Sequence, residues 1–292
     1  MKDTVLGVAG IGLIGGSIAL RAHAAGATVI GYDRDPAALR AATAAGALDA
    51  TATDLAALAA QCTIVAIALP VDATADVLAT TPALALPELV FDVASVKVPI
   101  VAAARDLPRF VASHPLAGRE RGGFGAADAA LFEHCVWAVV PARDAGAQAR
   151  LEAFVSALGA RPLVLSAADH DRLVAISSHL PQLLSVALGA QLAAAGESDG
   201  RVYDLCGPGM RSMLRLAHSD AALWAPIAQA NAAAVAEALD AVAVALRAIA
   251  ADLRAGDPAA LLAAFEEAHR AVAALERSPG TARSLPYAAP KR

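Results

Sequence analysis

The chain has 292 residues, enough for two domains that each bury a core, and its formal charge of -5 leaves no basic surface with which to argue for nucleic acid. Hydrophobic residues make up 58%, but much of that is alanine, which favours helix while burying little area, so the composition points to a helical second half. The apolar runs at 183–188 and 241–246 are expected to fall short of a membrane span, and no signal peptide fits before the first strand. Cys62, Cys135 and Cys206 lie far apart, as free thiols in a reducing, cytoplasmic setting would.

Val5 to Ala9 form an apolar run of the buried parallel-strand kind, and Gly10, Gly12 and Gly15 follow at GxGxxG spacing. Gly10 permits a tight turn, Gly12 lets the backbone approach a pyrophosphate, and Gly15 lets the next helix pack on the strand. Leu13 and Ile14 open that helix, whose unpaired N–H groups face the phosphates. A second apolar run, Ala27 to Tyr32, ends in Asp33, about 20 residues past the glycines, where a carboxylate can bond the ribose hydroxyls. The unit predicts a dinucleotide. Asp33 favours NAD, whereas the guanidinium of Arg34 beside it can tolerate the extra phosphate of NADP.

Asp35 and Pro36 start a helix that Gly46 closes. Thr63 to Leu69 read as a third strand stopped by Pro70, so Leu69 and Pro70 are expected along the cofactor. A fourth strand, Leu89 to Ala94, leads into Ser95 and Lys97, a hydroxyl and an ammonium that can hold a polar substrate at a strand end. Equally, Ser95 can cap the next helix and Lys97 can be solvated. His114 precedes Pro115, which forces an extended backbone; an imidazole there is a natural general base, although a structural histidine fits as well. Gly118, Gly122, Gly123 and Gly125 predict a mobile loop carrying Arg119, Glu120 and Arg121 as a gate, before a helix from Ala126 to Leu131. Val136–Val140 and Arg161–Leu165 are expected as the last two strands of the same sheet.

Strand–helix alternation ends at Ser166, so residues 1–165 are expected as a doubly wound parallel α/β domain, 166–278 as an all-α domain and 279–292 as a disordered tail. Pro181 predicts a kink that frees the carbonyl of Ser177, with His179 and Gln182 on one face as a pocket wall. Arg215, set among Met213, Leu214 and Leu216, is expected to be partly buried and to bind a carboxylate. Asp220 to Leu253 and Pro258 to Leu275 read as two long amphipathic helices with more apolar face than one domain needs, which predicts a homodimer.

Five blocks, GIGLIGGS (10–17), DVASVK (92–97), SHPLAGRE (113–120), SSHLP (177–181) and MRSMLRLAHSD (210–220), together resemble the prephenate dehydrogenase family of tyrosine biosynthesis. The resemblance implies NAD-dependent oxidative decarboxylation of prephenate or arogenate. His114 would accept the ring 4-hydroxyl proton, Ser95 would orient that hydroxyl, and Arg215 would pair with a substrate carboxylate. His179, Gln182, Lys97 and Glu120 complete the expected substrate contacts; no metal is implied, and a single-activity enzyme follows. Gln182 stands where many relatives carry a second histidine, and Ser212, Met213 and Leu214 replace a more usual Asp-Thr-Thr, both changes bearing on prephenate against arogenate. Other readings are a 4-amino-4-deoxyprephenate dehydrogenase and a non-catalytic nucleotide sensor. A β-hydroxyacid dehydrogenase would use a lysine in the helical domain, and none occurs between Lys97 and Lys291.

Overall fold

The computed structural model describes residues 1–119 and 121–278, so the tail 279–292, expected to be disordered, lies outside the described residues. Strand and helix alternate from the start: β1 (Val5–Ala9), α1 (Leu13–Ala24), β2 (Thr28–Tyr32), α2 (Pro36–Ala44), β3 (Ala50–Thr51), α3 (Leu55–Gln61), β4 (Ile64–Ile67), α4 (Val71–Thr80), β5 (Leu89–Asp92), α5 (Val98–Ala103) and β6 (Phe110–Val111). Six strands pair in parallel in the order β3-β2-β1-β4-β5-β6. The order reverses between β1 and β4, which opens a crevice at the carboxyl ends of the strands. Leu6, Val8, Val29, Val65, Val90 and Phe91 are fully buried, as expected where helices cover both faces of a parallel sheet.

Beyond β6 the chain departs from expectation. The strands read as the last two of the sheet, β8 (Val136–Val139) and β9 (Arg161–Val164), instead join β7 (Ser113–Pro115) in a separate three-stranded sheet, with α6 (Ala145–Ala157) between them in sequence. β7 runs antiparallel to β8, and β8 parallel to β9. The switch occurs at Ser113, whose N–H goes to the Asp92 carboxylate at 3.0 Å rather than to a strand, while His114 pairs with Ala138. The helix predicted for Ala126–Leu131 is absent among the described residues; a 3-10 turn, Phe124–Ala126, stands nearby. Asp128 diverts the amides that a helix would need, accepting from Ala130 N–H and donating its own N–H to Ser17 Oγ.

The second half is helical. Ser166 caps α7 (Ala167–Val174) by accepting from Asp169 N–H. A π-turn, Ala175–His179, leads directly into α8 (Leu180–Ser198), with Pro181 in its first turn, so the wider turn lies where the sequence predicts a kink. The continuous run Ala167–Ser198 has the length and mean hydropathy, 1.5, of a membrane span, unlike the short runs visible in sequence. Its most apolar stretch is 33% buried, and Gln182 and Ser185 on it bond the backbone carbonyls of Leu216 and Met213.

α9 (Pro208–Met213), a 3-10 turn (Arg215–His218), α10 (Ala221–Ala230), α11 (Ala232–Ala255) and α12 (Pro258–Glu276) follow. The single helix predicted from Asp220 to Leu253 is broken at Asn231, whose side-chain amide leaves the helical path to donate to the Asp171 carbonyl at 2.7 Å. One compact unit runs from Met1 to Val235, and another begins at Ala236.

Candidate active site

The glycine turn has the shape of a dinucleotide cradle. Gly10 adopts a φ of +93°, and a Cβ there would lie 2.3 Å from the Ala68 carbonyl oxygen. A Cβ on Gly15 would fall 1.9 Å from the Gly10 carbonyl oxygen, so helix and strand can approach only without one. Gly12 is different, because among the described residues a Cβ there meets nothing within 4 Å. Its bare backbone borders open space at the N-terminus of α1, where a pyrophosphate would rest. Asp33 lies partly exposed beside it, with Oδ2 accepting from Ile11 N–H at 2.6 Å and Oδ1 from Asp35 N–H at 2.8 Å. Arg34 is exposed next to that carboxylate. Leu13 and Ile14 begin α1, and Leu69 and Pro70 follow the carboxyl end of β4 in the adjacent strand position. The residues present therefore fit a dinucleotide.

Two strand positions further along, a buried ionic clamp holds the segment carrying His114. Lys97, read from sequence as a substrate contact, is instead fully buried. Its ammonium pairs with the Asp92 carboxylate and donates to the Ser113 carbonyl at 2.7 Å. An ammonium taken out of water must find such partners, and Asp92 supplies the charge. Burial pushes the Asp92 pKa up and that of Lys97 down, each opposed by the charge of the other. Ser113 adds three bonds: its N–H to Asp92 Oδ1, its hydroxyl to the Asp92 carbonyl at 2.6 Å, and acceptance from Trp137 Nε1 at 3.0 Å. The backbone on which His114 sits is thereby fixed, and Ser95 lies partly exposed in the loop between Asp92 and Lys97.

His114 is partly exposed, and its Nδ1 lies 3.0 Å from His170 Nε2. His170 Nδ1 in turn lies 2.7 Å from Asp171 Oδ1. The surrounding protein pushes the His114 pKa well below the ordinary 6.5, foremost by burial, then through His170, Lys97 and His179. At neutral pH the ring is thus an uncharged base. Neither His170 nor Asp171 was singled out from sequence, although Asp169-His170-Asp171, a histidine between two acids just past Ser166, was the visible signal.

The helical side partly departs from expectation. His179 is buried, with Nδ1 3.3 Å from Asn231 Nδ2, its ring edge-on to Trp224 and Nε2 without a hydrogen-bond partner among the described residues. A buried orphan nitrogen of this kind suits a polar ligand atom. Gln182, predicted on the pocket wall, is 3% exposed; its amide donates to the Leu216 carbonyl at 2.7 Å and its oxygen accepts from Ser219 Oγ. It ties α8 to the 3-10 turn instead of meeting substrate, because that turn leaves carbonyls needing donors. Arg215, expected to be partly buried, is exposed at the start of the same turn, which is held to α8 through its Leu216 carbonyl on Gln182 and its Ala217 N–H on Ser185 Oγ. Arg119 of the predicted gate is tied to Asp128, and Glu120 lies outside the described residues.

Two family models match in succession: the nucleotide-binding domain of prephenate dehydrogenase over residues 17–164 and the dimerization domain of prephenate dehydrogenase over residues 166–267. The chain is 32% identical over 237 residues to the prephenate dehydrogenase of Bacillus subtilis, covering 78% of this chain and 64% of that one. It therefore spans a little under two thirds of that relative's length. With the cyclohexadienyl dehydrogenase of Zymomonas mobilis it shares 30% identity over 282 residues, 93% of this chain and 96% of the other. In fold it is similar to the crystal structure of prephenate dehydrogenase from A. aeolicus in complex with hydroxyphenyl propionate and NAD+, with a TM-score of 0.87, 22% identity and coverage of 94% and 99%. With both successive domains matched and nearly the full length of one relative aligned, the chain belongs to the prephenate dehydrogenase family.

Proposed function

We propose that this protein is an NAD-dependent dehydrogenase that oxidatively decarboxylates prephenate, arogenate or both, and works as a homodimer in the cytoplasm. The observation that carries the reading is His114: a neutral, partly exposed imidazole on a backbone clamped by Asp92 and Lys97, in the strand that follows β6 at the carboxyl edge bearing the glycine cradle. The turn shaped by Gly10 and Gly15 would hold the pyrophosphate at the N-terminus of α1 beside Gly12, and Asp33 would take the ribose hydroxyls, which favours NAD over NADP. Bound NAD supplies the hydride acceptor.

His114 Nε2 removes the proton from the ring 4-hydroxyl as hydride leaves the same carbon. The bond to the ring carboxylate then breaks, CO2 departs and the ring becomes aromatic, so the chain need only orient the substrate and take one proton. Ser95, in the loop beyond β5, holds the hydroxyl, and the orphan Nε2 of His179 offers a further polar contact. Arg215 is the carboxylate partner, its guanidinium suited to a bidentate pair. The family's dimerization domain and the exposed Val244, Leu246 and Leu253 on α11 with Leu262, Phe265 and Val272 on α12 support pairing with a second copy through these helices. The free thiols of Cys62, Cys135 and Cys206 support a reducing compartment.

Steady-state kinetics with prephenate and arogenate, each against NAD and NADP, test the reading. Turnover of at least one substrate with NAD is expected, and no reduced cofactor from either would remove it.

A further inference from the structure

His114 does not stand alone. Behind it His170 is 1% exposed and Asp171 4%, both fully engaged in hydrogen bonds that lead to the imidazole. Asp171 accepts from two backbone amides, Lys97 N–H on Oδ1 at 2.7 Å and Val98 N–H on Oδ2 at 2.8 Å, and its Oδ1 lies 2.7 Å from His170 Nδ1. Two carboxyl oxygens that each accept from a backbone N–H match an ionised carboxylate, which has acceptors alone to offer the ring. The His170 nitrogen facing it, Nδ1, therefore carries the proton, which leaves His170 Nε2 with a lone pair. His114 Nδ1 then has to donate to that lone pair, and the free lone pair of His114 sits on Nε2.

We infer that His170 and Asp171 are positioning residues that hold His114 as its Nδ1–H tautomer, with Nε2 presented as the base, and stabilise the imidazolium formed when it takes the substrate proton. The inference rests on His114 being the base of the proposed reaction. As the proton arrives at Nε2, the Nδ1–H bond to His170 strengthens, and the Asp171 carboxylate lies one ring further on to offset the new charge. No proton need leave His114 for this to work. The same carboxylate holds the start of α5, immediately after the loop that carries Ser95, so one group sets the placement of both Ser95 and His114. A pair with only a packing role would not require ring nitrogens in this donor and acceptor order.

The decisive measurement is NMR of the full protein labelled at histidine, using long-range proton–nitrogen correlations to read the tautomer of His114, alongside kinetics of two variants. In the unaltered protein His114 is expected to show a protonated Nδ1 and a bare Nε2. His170→Phe removes the acceptor and should shift His114 toward the other tautomer while lowering kcat by about 10²-fold, with KM within about twofold and NAD binding retained. His170→Gln places an amide oxygen near the lost Nε2 and should restore the tautomer and at least about tenfold of the lost kcat. A protonated Nε2 in the unaltered protein, an unchanged kcat in His170→Phe, or a His170→Gln variant no better than His170→Phe would each overturn the inference. If neither prephenate nor arogenate were turned over, the functional reading would fall, and the tautomer of the unaltered protein would still decide this one. The same spectrum and His170→Gln decide it if His170→Phe does not fold.

Discussion

The cradle and the base are built in opposite ways. Around Gly10, Gly12 and Gly15 the work falls to bare backbone and one carboxylate, drawn from a single stretch of 24 residues from Gly10 to Asp33. Around His114 it falls to buried charged and polar side chains, Asp92, Lys97, Ser113, His170 and Asp171, brought together across as many as 74 positions of sequence. A backbone cradle tolerates many neighbours because it asks of them only the absence of a Cβ. A side-chain clamp fails when one member is lost, since a buried charge without its partner is costly.

The largest expected effect is at the base itself. His114→Asn should lower kcat by about 10²–10⁴-fold while the Kd for NAD, read by fluorescence titration, stays within about twofold. Near-normal turnover would mean that another group takes the proton. Lys97→Met comes next, leaving Asp92 charged and unpaired in the interior; chemical denaturation should show a loss of about 3–5 kcal/mol. Adding Asp92→Asn should recover most of that, because it removes the stranded charge. A single variant as stable as the parent would show that Lys97 does not hold the clamp. On the cradle side the effect is smaller and of another kind. Gly12→Ala projects a methyl group into space that none of the described residues fills, so thermal stability should hold while the Kd for NAD rises about tenfold, roughly 1.4 kcal/mol. A lowered Tm with unchanged affinity would reverse the assignment of that glycine.

What could be read from residues alone follows the same division. The parallel sheet and the cradle were legible because strand, glycine turn, helix and acid are consecutive and each reports its own backbone requirement. Ser95 is legible as a residue just past a strand, whereas His114, expected at the end of one, lies inside β7. Lys97 was misjudged because nothing local says that Asp92, five residues earlier, turns inward with it, and Gln182 because its carbonyl partner lies 34 positions away. His170 and Asp171 were passed over since their meaning depends on His114, 56 positions upstream of His170. The separate sheet of β7, β8 and β9 was hidden for a related reason: apolar strands carry no mark of which sheet they join, and here the side-chain bonds of Asp92 and Ser113 direct the chain.

The smallest effect sharpens the contrast through pH. Backbone amides do not titrate, so NAD affinity should stay flat between about pH 6 and 8. As the proposed base His114 would act only when unprotonated, and burial, with His170, Lys97 and His179 around it, holds its pKa well below 6.5. The acid limb of kcat/KM should therefore lie below pH 6.5, with the base fully active at neutral pH. Stability carries the same sign. The unfolded chain binds a proton at this histidine more readily than the folded one, so the contribution of His114 is complete above about pH 6.5 and declines as the pH falls through that value toward the folded pKa. A profile of kcat/KM beside one of Tm checks both. Should the kinetic limb sit at or above pH 6.5, the ring would be solvated in solution, and the enclosure by His170 and Lys97 would not describe the working enzyme.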